Sequence, residues 1–186
     1  MSSCMKSMPF MQQCPTRQSE GGPLRTFIAL RPESSQRNAL CLLAKSFCRG
    51  TKARAVRAEN VHLTLAFIGE LDCCMALELK DALGSASFRP VPVWPLTHLG
   101  RFGAVLWCAG EPLPQIAQNA GSVRALLQAL NIPHDRKRFA AHITLARNYS
   151  LPLPALNGKL PALHFSRPLL MVSERDKDGV LRYRCL

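Results

Sequence analysis

The sequence has 186 residues, of which 47% are apolar and 19% are charged. This length suits one domain, or two small lobes that share a core, and the composition is that of a folded globular chain rather than a disordered one. No apolar run comes near the roughly 18 residues that a membrane-spanning helix needs. The 24 Lys and Arg residues against 12 Asp and Glu give a formal net charge of +12, which points to a polyanionic partner, most often nucleic acid.

The positive charge is concentrated in two separate stretches of the chain. Residues 25–59 contain 8 basic and 2 acidic side chains, and residues 121–186 contain 11 and 4. The stretch 60–120 contains 3 basic and 5 acidic side chains. A fold could therefore bring two basic stretches to one cleft.

The predicted elements follow in chain order from apolar periodicity, helix caps and turn residues. They are a strand at 26–30, a helix at 34–48 capped by Ser34 or Ser35, strands at 53–58 and 61–68, a helix at 72–84 capped by Asp72, an edge strand at 88–94, a loop or bent strand at 97–103, a strand at 104–109, a helix at 113–130, a strand at 138–147, a loop at 151–162, and strands at 163–174 and 180–186. Residues 1–24 have no such period and are expected to form a disordered tail or an over-long start, with a transit peptide as the alternative.

The eight cysteines show neither a Cys-x-x-Cys pair nor zinc-finger spacing. Cys41, Cys48 and Cys108 lie in apolar runs, where a free cysteine behaves as a small hydrophobic residue. We therefore expect reduced thiols and a cytoplasmic protein, rather than a disulfide framework.

An internal repeat is the most informative feature of the sequence. The pentapeptide HLTLA at 62–66 returns as HITLA at 142–146, which is 80 residues later. Each copy follows a predicted strand and a predicted helix, and the strands begin 37 and 38 residues before the two histidines. We interpret this pattern as a duplicated strand–helix–strand unit.

Strand alternation predicts the direction of the repeated side chains. Residues i and i+2 of a strand share a face, so His62 lies beside Thr64 and His142 beside Thr144, while the intervening apolar residues face the core. If a pseudo-twofold axis relates the two units, both pairs converge on one cleft.

Two imidazoles and two hydroxyls in a positive field suit phosphodiester chemistry. One imidazole can accept a proton while the other donates one, and each transfer is typically worth about 10²–10⁴-fold in rate. The threonine hydroxyls can hold the non-bridging phosphate oxygens. A single histidine in a strand is more often a structural hydrogen-bonding residue, but the duplicated frame favours catalysis. The motif lacks the carboxylate or thiolate partners of zinc sites, so we expect neither a metal nor a cofactor.

The other candidate residues do not belong to the repeated motif. His98, His134 and His164 are expected to be surface or structural residues. The run 136–138 is equally consistent with a solvated surface or with RNA contacts. For Trp94, Phe102 and Trp107, core packing is favoured over base stacking.

The two His-x-Thr motifs, about 80 residues apart, resemble the signature of the two-histidine (2H) phosphoesterase superfamily. The wider strings at 59–69 and 138–147 are similar to its RNA 2′,3′-cyclic phosphodiesterase (2′-5′ RNA ligase) branch, as are 27–30, 106–107 and 179–183. The likeness covers residues 25–186. Two departures are the Met- and Ser-rich start and Ala140-Ala141, where the family often has a proline just before the histidine.

The resemblance implies an α+β fold: a single bilobal domain over 25–186, built from two duplicated strand–helix–strand units whose antiparallel sheets flank a central groove, with the helices outside. It implies metal-free hydrolysis of RNA 2′,3′-cyclic phosphate ends to 2′-phosphomonoesters. In that scheme His62 is the proton donor, His142 is the proton acceptor, and Thr64 and Thr144 bind phosphate. Family members often carry an arginine after the second motif, here Arg147, as a substrate contact. Strict alternation places Arg147 on the Ile143 face, so this role requires a bulge or strand end.

Three functions remain open at this point. The first is cyclic phosphodiester hydrolysis, with 2′-5′ RNA ligation as the same chemistry reversed. The second is a non-catalytic module that binds RNA ends or a nucleotide. The third is a phosphodiesterase of 2′-5′-linked oligonucleotides or of a small cyclic nucleotide. The expected partners are RNA ends or small cyclic-phosphate nucleotides, with no membrane, and the expected state is a monomer.

Overall fold

The structure is a computed structural model that describes residues 22–156 and 158–186. The predicted tail, 1–24, lies outside the described residues except for its last three positions, and Leu24 already belongs to the first strand. The elements are, in chain order, β1 (Leu24–Leu30), α1 (Ser34–Cys48), β2 (Arg54–Ala55), a 3₁₀ turn (Ala58–Asn60), β3 (Leu63–Leu71), α2 (Cys73–Ser85), β4 (Trp94–Pro95), β5 (His98–Phe102), β6 (Val105–Ala109), α3 (Pro114–Ala129), β7 (Ile143–Arg147), β8 (Ala162–Leu163), β9 (Leu169–Arg175) and β10 (Leu181–Cys185).

The described strands form two four-stranded antiparallel sheets and one small two-stranded sheet. The first sheet has the order β10-β9-β1-β3, the second has the order β2-β7-β6-β5, and β4 pairs with β8. Each large sheet contains one motif strand, β3 or β7, beside the strand that begins the same unit, β1 or β6. The expected α+β architecture, with one repeat unit in each antiparallel sheet, is confirmed.

The helices exchange places between the two units. The helix of the first unit, α1, contacts β2 and β7 of the second sheet, whereas α3 of the second unit contacts β3 of the first sheet. Apolar residues of the helices and of both sheets form one continuous core, whose fully buried members include Leu40, Leu79, Leu127, Ile28 and Leu145. The helices therefore cover the core-facing sides of the sheets and leave the opposite sides for the groove.

A bulge interrupts both motif strands at the same position of the repeat. Between β1 and β3 the partners step from Ala29–Thr64 to Ile28–Ala66, so Leu65 is the extra residue. Between β6 and β7 they step from Trp107–Thr144 to Leu106–Ala146, so Leu145 is the extra residue. Because a bulge lets two consecutive residues face the same way, the alternation resets after each motif. The side chain five positions after each histidine therefore returns to the groove side.

Two helix starts were predicted from capping residues, with different outcomes. Asp72 caps α2 as predicted, with its Oδ1 accepting the Met75 N–H at 2.9 Å. The prediction of Ser34 or Ser35 as the cap of α1 is wrong, because Glu33 is the capping residue and its N–H donates to Gln36 Oε1 at 3.3 Å. The capping box formed by Glu33 and Gln36 places Ser34 and Ser35 inside the first turn of α1.

Several predicted strands differ in length from those observed. No strand forms at 88–93, where Pro90 and Pro92 lack N–H groups and the backbone of Arg89 instead binds the side chain of Asn119 through two hydrogen bonds of 2.9 Å. Of the two alternatives predicted for 97–103, a loop or a bent strand, the strand is observed, as β5. The strand predicted at 138–147 begins only at Ile143, because its partner β6 ends one residue beyond the position that pairs with Ile143. The strand predicted at 53–58 is likewise reduced to β2.

Candidate active site

Both motif histidines lie immediately before their strands and are held by the backbone in the same way. His62 Nδ1 lies 2.7 Å from the carbonyl oxygen of Asn60, and His142 Nδ1 lies 2.8 Å from that of Ala140. A carbonyl oxygen can only accept a hydrogen bond, so Nδ1 carries the proton in each ring. In the neutral form this leaves Nε2 as a free base, which is the atom needed for proton transfer.

The first motif pairs its histidine with its threonine. His62 Nε2 lies 3.0 Å from Thr64 Oγ1, which agrees with the predicted placement of both side chains on one face. Because Nδ1 holds the proton, the Thr64 hydroxyl donates to Nε2. Protonation of Nε2 would reverse this bond and free the hydroxyl hydrogen for another acceptor.

The His62 ring is packed among aromatic side chains. Its centroid lies 4.8 Å from that of Phe27 and 5.2 Å from that of Tyr183, which meets it edge-on. Burial in this setting lowers the pKa of His62 from 6.5 to about 4, although the bond to the Asn60 carbonyl opposes the shift. The positive charges of Arg147, His142 and Arg31 lower this pKa further.

The second histidine lies against a different aromatic wall. The Phe102 ring meets His142 edge-on at 5.2 Å between centroids, and Trp107 lies 6.2 Å away. Trp107 lies across the backbone of Gly100, where an added Cβ would come within 2.1 Å of the indole, so only glycine fits there. Phe102 is 49% exposed, so the prediction that it packs in the core is wrong.

Two adjoining cavities form the groove, and both reach His62. The larger, of about 650 Å³, is also lined by Thr144 and Arg147. The smaller, of about 370 Å³, is lined by Thr64 and again by Arg147. Arg147 reaches the groove through the bulge at Leu145, so the condition that sequence alternation set for this residue is met. His142 lines neither cavity and packs against Phe102 and Trp107, which also line neither.

The groove combines the two basic stretches of the chain. Arg54 and Arg57 from the first stretch, with Arg147 and Arg175 from the second, line the larger cavity. Asp178 is the one acidic residue among its lining residues. The expectation that the fold joins the two stretches in one cleft is confirmed, and the cleft carries a strong positive field.

The remaining candidate residues lie either in the core or on the exposed surface. Trp94 is 1% exposed and its indole N–H donates to the Glu111 carbonyl, which agrees with core packing. The run 136–138 is exposed on the surface and lines neither groove cavity. The thiols of Cys41 and Cys108 are free and buried, and burial raises the pKa of Cys108 to about 12.

Several groove residues were not predicted from the sequence, because Asn60, Tyr183 and Arg175 carry no repeated pattern. The pairing of β9 with β10 places Arg175 and Tyr183 in the groove, and two side-chain hydrogen bonds to β10 hold Asn60 there. Phe67 could have been predicted as a groove residue from the repeat, because it follows His62 by five residues just as Arg147 follows His142 by five. The repeated Leu-Ala pair in each motif was the available sign of the bulge.

Among residues 22–156 and 158–186, no group of three or more His, Cys, Asp or Glu side chains is arranged to hold a metal ion. In the same part of the chain, no helix has both the length and the apolar character to cross a bilayer.

Comparison with protein families places the sequence beside known phosphoesterases. Residues 30–107 match the family model described as LigT like Phosphoesterase. An RNA 2′,3′-cyclic phosphodiesterase of Thermotoga maritima is 31% identical over 133 residues, which cover 67% of this chain and 70% of that protein. Proteins of the same name from Archaeoglobus fulgidus and Aeropyrum pernix are 27% and 31% identical, over 72% and 64% of their own lengths and 67% and 58% of this chain.

Solved structures with a similar fold include E. coli LigT in several states. The apo form superposes with a TM-score of 0.76 at 24% identity, covering 89% of this chain and 96% of that one. The form complexed with phosphate gives a TM-score of 0.68 at 26% identity over the same shares. The form complexed with 3′-AMP gives 0.75 at 24% identity, covering 88% and 95%.

Proposed function

This chain belongs to the LigT-like phosphoesterases of the 2H superfamily and is an enzyme, and on that premise we propose that it hydrolyses RNA 2′,3′-cyclic phosphate ends to 2′-phosphomonoesters. The observation that carries the proposal is the matched pair of imidazoles. Each has Nδ1 bound to a backbone carbonyl and Nε2 left for proton transfer, beside a groove lined by four arginines. The same class of substrate is named for the relatives from Thermotoga, Archaeoglobus and Aeropyrum.

In the proposed reaction, His142 Nε2 takes a proton from water as the water oxygen attacks phosphorus. The bond from phosphorus to O3′ breaks, and O3′ takes a proton from His62 Nε2. The product is a 2′-phosphomonoester. The hydroxyls of Thr64 and Thr144 and the guanidinium of Arg147 hold the non-bridging oxygens where negative charge develops.

The shape of the groove supports His62 as the donor. The attacking and leaving oxygens lie on opposite sides of phosphorus, and the leaving O3′ is attached to the nucleotide. Both cavities border His62, so the space for the nucleotide lies on that side. His142 borders neither cavity, which leaves its side for the incoming water. A ribose 5′-hydroxyl in place of that water would give 2′-5′ ligation by the same proton transfers, and we include this reaction in the proposal.

The proton donor has to acquire its proton when the substrate binds. With a pKa of about 4, His62 is neutral in the free protein at pH 7. An anionic cyclic phosphate offsets the nearby positive charges and accepts a hydrogen bond from the charged ring, and both effects raise the pKa. Substrate binding and protonation of His62 are therefore coupled.

We further propose that residues 25–186 act as a single domain and as a monomer in the cytoplasm. One apolar core spans both sheets, and both motifs come from one chain, so no second copy is needed to complete the groove. The free buried thiols of Cys41 and Cys108 are compatible with a reducing compartment. Sedimentation of the purified chain tests the monomeric state.

The deciding experiment is turnover of an oligoribonucleotide that ends in a 2′,3′-cyclic phosphate, with the product identified by phosphorus NMR. His62→Ala and His142→Ala should each lower kcat by about 10²–10⁴-fold, since each removes one proton transfer. His164→Ala, a histidine outside the groove, is the matched control. Tight binding of the oligonucleotide without turnover would identify a binding module instead, and near wild-type rates in either motif variant would refute the two-histidine mechanism.

A further inference from the structure

Asn60 is a buried polar residue whose side chain binds the edge of the first sheet. Its Nδ2 donates to the Leu181 carbonyl and its Oδ1 accepts the Tyr183 N–H, each at 2.9 Å. Both partners belong to β10, the edge strand, so the carboxamide pairs with this strand as a neighbouring backbone would. Asn60 is only 7% exposed, which shields both bonds from water.

The backbone of the same residue holds the histidine. The Asn60 carbonyl accepts the His62 Nδ1–H at 2.7 Å, the shorter of the two bonds between a motif histidine and the backbone. The two side-chain bonds to β10 fix the end of the 3₁₀ turn and hence the position of this carbonyl. We infer that Asn60 is a positioning residue that sets the orientation and the tautomer of His62.

The second motif has no side chain that anchors its histidine in this way. Ala140 occupies the matching position two residues before His142, and its carbonyl accepts the His142 Nδ1–H at 2.8 Å. A methyl side chain cannot bind a neighbouring strand, so that carbonyl is held by the backbone alone. The near-symmetric motifs therefore differ in a further physical respect: the side chain of Asn60 anchors only the first histidine.

The consequence of the anchor follows from the two tautomers of a neutral imidazole. With the carbonyl in place, the proton stays on Nδ1 and Nε2 remains the acceptor for the Thr64 hydroxyl. Without the anchor, the carbonyl can shift and the tautomer with the proton on Nε2 becomes populated. The catalytic effect rests on the proposed function, in which His62 Nε2 serves O3′; a misplacement of about 1 Å can cost on the order of 100-fold in rate.

The test compares Asn60→Ala with Asn119→Ala. Asn119 is a matched control, since it is 1% exposed and also binds backbone through both carboxamide atoms, at Arg89. It lines neither groove cavity. Two-bond proton–nitrogen NMR spectra of the imidazoles report which nitrogen of His62 and of His142 carries the proton at pH 7.5, and these spectra need no substrate.

Asn60→Ala should show a mixture of His62 tautomers with unchanged His142 signals, and kcat should fall about 10- to 100-fold. Asn119→Ala should lower the melting temperature without either effect. An unchanged His62 tautomer in Asn60→Ala, or the same tautomer change in Asn119→Ala, would overturn the inference. If Asn60→Ala does not fold, Asn60→Ser keeps a neutral polar side chain that is too short to bind both the Leu181 carbonyl and the Tyr183 N–H, and it should show the same change at smaller amplitude. If the wild type does not hydrolyse the cyclic phosphate, the proposed function fails while the spectra still decide the role of Asn60.

Discussion

A phosphate ligand in the groove should raise the pKa of His62. In the free chain burial holds this pKa at about 4 against an ordinary value of 6.5. That difference corresponds to about 3 kcal/mol against the charged ring and leaves roughly one ring in a thousand protonated at pH 7. An anion within hydrogen-bonding distance typically shifts a pKa by about 1–3 units, which is enough to restore a useful proton donor near neutral pH.

Histidine NMR titration between about pH 3.5 and 9 measures this shift. The free protein is compared with the protein saturated with adenosine 2′-monophosphate, and His62→Asn assigns the signal. Titration of free His62 near 6.5 would show that Phe27 and Tyr183 do not dehydrate the ring. An equal pKa in both states would remove the donor role and favour the reverse assignment of the two histidines.

The same pKa predicts how stability depends on pH. Because the folded-state pKa of His62 lies below the unfolded value, the unfolded chain binds the proton first as the pH falls. The contribution to stability is therefore complete above pH 6.5 and is lost as the pH falls towards 4, by about 2 kcal/mol at pH 5. Urea denaturation at pH 5 and pH 8 should show this loss in the wild type and not in His62→Asn. Equal losses in both proteins would contradict it.

Three further outcomes are expected. Thr64→Val and Thr144→Val should each lower kcat/KM by about 10- to 100-fold, since each removes a hydrogen bond to a charged phosphate; a loss in one variant alone would leave a single threonine in that role. Turnover should persist in EDTA, because neither proton transfer proposed for His62 and His142 involves a metal ion; loss of activity that one divalent ion restores would contradict the mechanism. The affinity for a single-stranded oligoribonucleotide should weaken as the salt concentration rises, with a slope of log affinity against log salt of about −0.7 for each neutralised phosphate. An affinity that does not change with salt would show that the basic groove does not bind the phosphates of the substrate.

The internal repeat made the centre of the fold predictable from sequence. The convergence of the two His-x-Thr motifs and of the two basic stretches follows from a duplicated unit with residues alternating along a strand, whereas the antiparallel sheets were implied by the family resemblance. Asp72 was predictable as the cap of α2 because its side chain accepts a hydrogen bond from the N–H only three residues later in the chain. Local chemistry and short-range periodicity are the information that a single sequence contains.

Features that depend on pairing between distant segments were not predictable. The strand expected from residue 138 is shorter because β6 ends, and Phe102 is exposed beside His142 because β5 pairs with β6. Asn60 meets β10 across 121 residues of sequence. The low pKa of His62 has the same origin, since Phe27 and Tyr183 come from other strands of the first sheet.

The exchange of helices between the two units makes this chain the covalent counterpart of a domain-swapped dimer. A chain cut between α2 and β4 would leave α1 without β7 and β3 without α3. Each half would then expose apolar surface that only the other half can cover, so the halves depend on one another to fold. The spacing between the two histidines is thus set by mutual packing of the units rather than by a hinge, and a loss of order around one motif would reach the other through the shared helices.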